Sequence, residues 1–243
     1  MTYKRFVIGD VLGFGWQVMK ANLWFFVGVG IVGGILQMLP NIINQIITRI
    51  RISDPVLLFA IIPVIIIGAA ISVIVSIGFI KIALSFCDAR KPAFGTLFDF
   101  HGCFWRVVGT GILYSLIVTA GILLLIIPGI IWAVKYSLCY YFVIDKGLGP
   151  VQALKSSSRS TMGVKWQLFG FGILCGLINY LGLLCLIVGI FATYPTVLVA
   201  QALVYRHLMA QTPELAEFGI STSYSQAAEQ TALTQPPPNN QTV

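Results

Sequence analysis

The sequence predicts an all-α integral membrane protein, with six transmembrane helices forming three hairpin repeats and a short interfacial helix before each hairpin. Hydrophobic residues make up 58% of the 243 residues and charged residues only 9%, against about 25% charged residues in a soluble domain. The mean hydropathy is +0.92. Long runs reach the roughly 20 apolar residues that a helix needs to cross a bilayer. One tryptophan–glycine pattern also recurs three times.

Four apolar runs account for the six spans. Two runs hold one span each, and two are long enough for two spans: Ala21–Thr48, Pro55–Ile80, Val107–Ile144 and Trp166–Tyr205. Pro128-Gly129 is expected to divide the third run and Gly189 to Pro195 the fourth, because proline removes a backbone donor and glycine tolerates turn geometry. The predicted spans are about 22–44, 56–80, 105–127, 129–145, 165–186 and 189–208.

These spans make residues 1–210 a membrane domain. Residues 211–243 are rich in Gln, Thr, Ser and Ala and are predicted to be a disordered tail, since they cannot bury enough apolar area to fold alone.

The basic residues predict the orientation. Of the 15 Lys and Arg residues, all but Arg49, Arg51 and Lys135 flank the ends of spans on the side that carries both termini. Basic flanks stay in the cytoplasm, so both termini are expected there. The net charge of +7 is accordingly assigned to contact with anionic headgroups, and we expect no nucleic-acid partner.

The repeat is the pattern Trp-x-x-x-Gly-x-Gly-Ile, which opens the first, third and fifth spans. Its members are Trp24, Gly28 and Gly30; Trp105, Gly109 and Gly111; and Trp166, Gly170 and Gly172. Tryptophan prefers the headgroup interface, and paired glycines let a neighbouring helix approach closely. Segments of mixed polarity precede each copy, at residues 8–20, 93–101 and 151–162, and are predicted to be interfacial helices.

The returning spans also end alike, with a basic residue followed by an acidic one. The pairs are Lys81 and Asp88, Lys135 and Asp145, and Arg206 and Glu214, at varying spacing. This correspondence is weaker than that of the tryptophans.

Several of these segments resemble a known family. They are Ile8 to Trp16, Leu84 to Phe98, Leu124 to Ile131, Ala153 to Ser156 with Gly163-x-x-Trp166, and Tyr194-Pro195 leading to Tyr205-Arg206. Together they are similar to the bacterial membrane proteins of domain-of-unknown-function family 975, akin to the membrane domain of some glycerophosphodiester phosphodiesterases. The resemblance implies a six-span fold and a bacterial inner (plasma) membrane. It implies no reaction, because family 975 has no established activity. The phosphodiesterase activity is not carried over, because the chain has no room for the soluble phosphodiesterase domain.

Motifs for catalysis and metal binding are not found in the sequence. His101 and His207 are isolated, and the five cysteines show no Cys-x-x-Cys spacing, so we expect no metal and no cofactor. The serine run from Ser156 to Ser160 has no histidine partner, and the acidic residues lie at or beyond the ends of the predicted spans. We therefore assign no catalytic residues and expect no enzyme activity.

Lys135 is the sharpest functional candidate, since a charge within a span marks a functional position by default. With Tyr136 and Tyr140 it could bind an anionic headgroup or a substrate. The alternative is that Lys135 snorkels to an interface. Polar residues late in the first span could line a cavity or cap that helix: Gln37, Asn41, Asn44 and Gln45.

The function predicted is therefore a non-enzymatic membrane component, acting as a scaffold or as a lipid- or envelope-associated accessory protein. A small transporter or channel with Lys135 in its pathway is the alternative, and an enzyme subunit whose active site lies on another chain comes third. The expected partners are membrane lipids with anionic headgroups, followed by another membrane protein.

Overall fold

The computed structural model describes residues 6–49, 55–100, 102–184 and 188–212, and over these ranges the chain is helical without strands, which confirms the all-α prediction. The described ranges contain α1 (Ile8–Ala21), α2 (Leu23–Arg49), α3 (Pro55–Cys87), a 3-10 helix (Phe94–Phe98), α4 (Phe104–Leu124), α5 (Ile126–Lys135), α6 (Cys139–Lys146), α7 (Pro150–Ser160), α8 (Lys165–Leu184) and α9 (Val188–Ala210). The predicted tail lies outside the described residues, apart from its first two positions.

Several helices are long and apolar enough to cross a membrane. In the described part of the chain four segments have this property: Ile62–Cys87, Phe104–Leu124, Ile127–Lys146 and Lys165–Leu184. The pair Ile8–Ala21 and Leu23–Met38 reaches the same measure only when taken together, and it is bent by 89°. The helices thus supply four such segments, or five if the bent pair is one span, and α9 is not among them.

Helices occupy the three segments predicted to precede the hairpins. They are α1, the 3-10 helix and α7, which we call the short helices. The middle one is a single 3-10 turn rather than an α-helix. Pro150 opens α7, where its missing N–H costs nothing because first-turn N–H groups have no partner within the helix.

The break predicted at Pro128-Gly129 lies earlier in the chain. Helix α4 ends at Leu124, Leu125 is extended (φ −166°, ψ 140°), and α5 begins at Ile126. Pro128 therefore stands in the first turn of α5, where proline is tolerated. Gly129 has a different role: a Cβ at this position would lie 2.8 Å from the Ile122 backbone nitrogen, so glycine permits the close hairpin of α4 and α5.

The break predicted at Gly189 to Pro195 also lies elsewhere. Helix α8 ends at Leu184 and α9 begins at Val188, so that Gly189 and Pro195 are both inside α9. A Cβ on Gly189 would lie 2.9 Å from the Gly182 Cα. The glycine pair therefore brings α8 and α9 together instead of ending a helix.

The core lies where α3, α6 and α9 meet. Fully buried side chains from these helices include Ile77, Ile82, Phe142, Val143 and Tyr205. The short helices surround this centre in an ordered way: the 3-10 helix packs on α3, α7 on α6, and α1 on α9. The last of these contacts joins the N-terminal helix to the C-terminal one.

Candidate functional site

Three charged side chains meet at one end of the central helices. Asp88 follows α3, Asp145 is near the end of α6, and Arg206 is near the end of α9. The Arg206 Nη2 atom lies 2.7 Å from Asp88 Oδ2, and its Nη1 atom lies 2.9 Å from Asp145 Oδ2. Only 8% of the Arg206 side chain is exposed. We call these three residues the ion cluster.

Aromatic and polar groups enclose the ion cluster. The Tyr205 hydroxyl donates to Asp145 Oδ2 at 2.9 Å, and the Lys146 ammonium lies 3.2 Å from the same oxygen. Tyr141 stacks on Tyr205 with 5.4 Å between ring centroids. A planar guanidinium presents N–H donors in a fixed fork, so one arginine on α9 holds the ends of both α3 and α6.

The pairing within the ion cluster determines what it can do chemically. Each carboxylate already faces the Arg206 cation, and because that side chain is buried and serves both carboxylates, its loss is the expensive one. Among the described residues no group of three or more His, Cys, Asp or Glu side chains could hold a metal ion. The cluster therefore joins three helices rather than presenting an open acid or base.

The Asp88 carboxyl, which lies just beyond the end of α3, has a pKa that differs from its usual value. Burial raises the pKa of the Asp88 carboxyl above its usual range; the Arg206 charge opposes the rise and the Asp145 charge adds to it. Because the pKa is higher in the folded state, folding favours the protonated form. This contribution to stability is full below the unfolded pKa of about 4 and is lost as the pH rises through the folded value.

Asp88→Asn is expected to gain thermal stability relative to the wild-type chain as the pH rises from about 4 to neutrality. Asparagine resembles the protonated carboxyl and does not ionise, so the two proteins should converge in acid. Thermal unfolding of the detergent-solubilised protein across this range measures the difference. A difference that does not change with pH would contradict the assignment.

Lys135 lies at the end of α5, half-buried, with its ammonium 5.1 Å from the centre of the Tyr136 ring. Its carbonyl accepts hydrogen bonds from Ser157 Oγ at 3.0 Å and from Thr161 Oγ1 at 3.1 Å. Because α5 stops here, this oxygen has no helical partner. A hydroxyl of α7 and that of Thr161, the residue just after α7, therefore satisfy the helix end at Lys135.

The other members of the predicted polar set lie in different places. Tyr140 packs against α4, 5.9 Å from the Tyr114 ring centre, whereas Tyr136 lies with Lys135. Gln37 lines a groove between α2 and α9. Asn41 and Asn44 lie on α2, but their side chains are outside the part that the structure describes.

The three repeated tryptophans occupy matching positions. Trp24, Trp105 and Trp166 are each the second residue of their helices, α2, α4 and α8, and they are 85%, 81% and 81% exposed. Large aromatic rings left uncovered at a helix start suit a headgroup interface.

The glycines of the pattern differ in how closely other parts of the chain approach them. A Cβ on Gly28 would meet the Phe94 ring at 3.0 Å, and one on Gly109 would meet Pro150 Cγ at 3.2 Å. Both neighbours belong to the short helix that follows in the chain. Gly30 and Gly111 face Phe191 and Tyr140 in the same way, whereas Cβ atoms on Gly170 and Gly172 would have nothing within 4 Å.

The ion cluster is the feature that sequence reasoning missed. Asp88, Asp145 and Arg206 are recognisable as charges that end apolar runs, but that position alone suggests a membrane flank. The sequence has no signal that separates these three charges from ordinary membrane flanks. The burial of the preceding residues, Cys87, Ile144 and Tyr205, is visible only in the structure.

No protein-family model, curated protein or solved structure matches the chain. The resemblance to family 975 stays a prediction.

Proposed function

We propose that the protein is a non-enzymatic integral membrane component, a scaffold or lipid-associated accessory protein. Six spans would form three hairpin units: α2 with α3, α4 with α5–α6, and α8 with α9. The observation that carries this proposal is the ion cluster. Its buried charges are paired with one another across all three units, so the polar groups of the centre connect helices instead of lining a passage.

Contacts at the residue after each tryptophan support the three units. Phe25 packs on Phe94 with 4.8 Å between ring centroids. Arg106 donates to the Gly147 carbonyl at 2.8 Å, and the Gln167 amide donates to the Phe6 carbonyl. In each case the partner residue lies in the next short helix or just before it. For the unit of α8 and α9, at the end of the chain, the short helix in this position is α1, at the start of the chain.

Contacts between the short helices and α3, α5 and α9 repeat in the same order. Gly78, Lys135 and Thr196 each stand ten residues before a member of the ion cluster. Gly78 adjoins the backbone of Leu97 in the 3-10 helix, the Lys135 carbonyl binds Ser157 of α7, and Thr196 adjoins Gly15 of α1. One packing arrangement therefore occurs at each junction, which favours a threefold internal repeat.

The proposed location is a bacterial inner membrane, with the ion cluster and both termini towards the cytoplasm. The exposed tryptophans would mark the inner headgroup level, and α1, at 89° to α2, would lie along it.

Reporter fusions after residues 50, 90, 125, 147, 186 and 212 test this topology. Cytoplasmic activity after 90, 147 and 212, with external activity after the other three, is expected; any two adjacent fusions on one side would refute six spans.

Lys135→Met separates the scaffold from the transporter. For a scaffold we expect reconstituted wild-type protein to leave the solute and ion leakage of liposomes at the level of empty vesicles, and the variant to do the same, because the Lys135 contacts described are structural. A flux that appears with the wild type and disappears in Lys135→Met would replace the scaffold with the transporter. Lys155→Met, an exposed cation on α7, is the matched control.

A further inference from the structure

A groove of about 560 Å³ lies between α3 and α4, with α6 at its side. Three serines and one tyrosine contribute to its mainly apolar wall: Ser72 and Ser76 on α3, Ser115 on α4, and Tyr140 on α6. Gly111 of the repeated pattern also lines it, so the absence of a side chain there keeps the groove open. Ser72 to Ile80 spans about 12 Å of helix, running towards the end that carries the ion cluster.

A second groove, between α9 and α2, has a volume of about 350 Å³ and matching wall positions. Five α3 residues of the first groove stand 16, 15, 12, 11 and 8 residues before Asp88, and five α9 residues of the second stand at the same distances before Arg206. The matching pairs are Ser72 and Ile190, Val73 and Phe191, Ser76 and Tyr194, Ile77 and Pro195, and Ile80 and Leu198. The two grooves are thus versions of one surface.

Side-chain size explains why the first groove is larger. In the second groove Phe191 reaches across to α2, where its ring would lie 3.1 Å from a Cβ on Gly30, and Tyr194 packs on Phe79 with 5.4 Å between ring centroids. The first groove has Val73 and Ser76 at these positions. The space filled by aromatic rings in one groove is open in the other.

Charge also distinguishes the two grooves, because cations adjoin only the larger one. Lys81 follows Ile80, and Arg106 precedes Val107, so that cations flank the wall of the α3/α4 groove at one end. At the matching positions the α2/α9 groove has Val199 and Phe25.

Neither cation of the α3/α4 groove is fully engaged. Lys81 pairs with Asp99, whose side chain is 57% exposed, and exposed pairs are weak. Arg106 donates from one nitrogen to the Gly147 carbonyl and has five N–H donors in all. Both can therefore bind a further anion.

We propose that the α3/α4 groove binds one acyl chain of an anionic phospholipid, whose phosphate is held by Lys81 and Arg106. The inference rests on the proposed membrane location. Trp105, exposed beside Arg106, would lie at the same headgroup level as the phosphate. The open groove receives the chain because its apolar wall is the one bordered by cations.

Native mass spectrometry of the full chain, released from nanodiscs of equal phosphatidylglycerol and phosphatidylcholine, tests the site. We expect the wild type to retain phosphatidylglycerol preferentially. Lys81→Gln and Arg106→Gln should each reduce that preference roughly tenfold, the usual effect of losing one direct hydrogen bond to a charged group. Arg90→Gln and Lys155→Gln, which change exposed cations elsewhere, should leave the preference unchanged. An unchanged preference in Lys81→Gln/Arg106→Gln would overturn the proposal.

Replacing residues of the α3/α4 groove with those of the α2/α9 groove tests whether the α3/α4 groove binds an acyl chain. Val73→Phe/Ser76→Tyr places the residue types of the α2/α9 groove in the α3/α4 groove, and should reduce the retention of phosphatidylglycerol to that of phosphatidylcholine. Leu116→Phe/Leu123→Phe adds aromatic rings at exposed sites of α4, 65% and 88% exposed, and should retain lipid as the wild type does. Equal retention of phosphatidylglycerol by Val73→Phe/Ser76→Tyr and by this control would contradict the proposal.

Photo-crosslinking keeps the test decisive if Val73→Phe/Ser76→Tyr does not fold. Phosphatidylglycerol with a diazirine on one acyl chain should label residues 72–80 and 107–115 of the wild-type chain more than 190–198, and uniform labelling would refute the site. A chain that does not insert into nanodiscs refutes the membrane location as well, whereas one that inserts without lipid preference refutes only the groove.

Discussion

Arg206→Met is expected to reduce the free energy of unfolding by about 3–5 kcal/mol, the usual cost of removing one partner from a buried ion pair. The guanidinium lies within 2.9 Å of oxygens on both Asp88 and Asp145. Without it, two carboxylates face each other at the meeting point of three helices. Chemical or thermal unfolding of the detergent-solubilised protein measures the loss, and Lys155→Met is the control for removing an exposed cation.

Neutralising the carboxylates should reverse most of this loss. A buried ionic group replaced as a whole by neutral residues is often tolerated, whereas a half-removed one is not. Asp88→Asn/Asp145→Asn/Arg206→Met is therefore expected to be more stable than Arg206→Met alone. If the single variant is as stable as Lys155→Met, the ion cluster does not hold the three helices together.

Features that depend on local hydropathy could be predicted from the sequence. The tryptophan of each repeat marks the change from a polar to an apolar segment, and Trp24, Trp105 and Trp166 all fall one residue inside a helix. The short helices before them were predictable for the same reason, since a stretch of mixed polarity between apolar runs has few other stable forms.

The ion cluster could not be found by comparing the repeats residue by residue. Its members are two aspartates and one arginine, so that sequence identity does not align them. In the sequence pattern Arg206 is the basic member of the third pair and is followed by Glu214, which lies outside the described residues. In the structure Arg206 contacts Asp88 and Asp145, the acidic members of the other two pairs. Only a three-dimensional arrangement brings together charges from residues 88, 145 and 206.

The helix breaks were misplaced because proline and glycine have two roles. Within a first turn proline fits the helix, as Pro128 does in α5, and a glycine inside a helix can serve close packing, as Gly129 and Gly189 do. Which role applies depends on the neighbouring helix. The same dependence distinguishes Gly78 from Gly170, two helical glycines that the sequence alone does not separate.

Gly78→Ala is expected to reduce the free energy of unfolding by about 1–3 kcal/mol, the range found for overpacking a filled site. A Cβ at this position of α3 would lie 2.6 Å from the Leu97 Cα. Because the obstacle is backbone and not a flexible side chain, the 3-10 helix would have to move away from α3. Gly170→Ala adds the same methyl group to α8 with no atom within 4 Å, so it should be neutral or gain up to about 1 kcal/mol from helix propensity. The two variants, compared by thermal unfolding in one detergent, separate packing from propensity. Equal effects would mean that the 3-10 helix does not rest on α3. The contact at Gly78 would then no longer support the proposed threefold repeat of contacts at Gly78, Lys135 and Thr196.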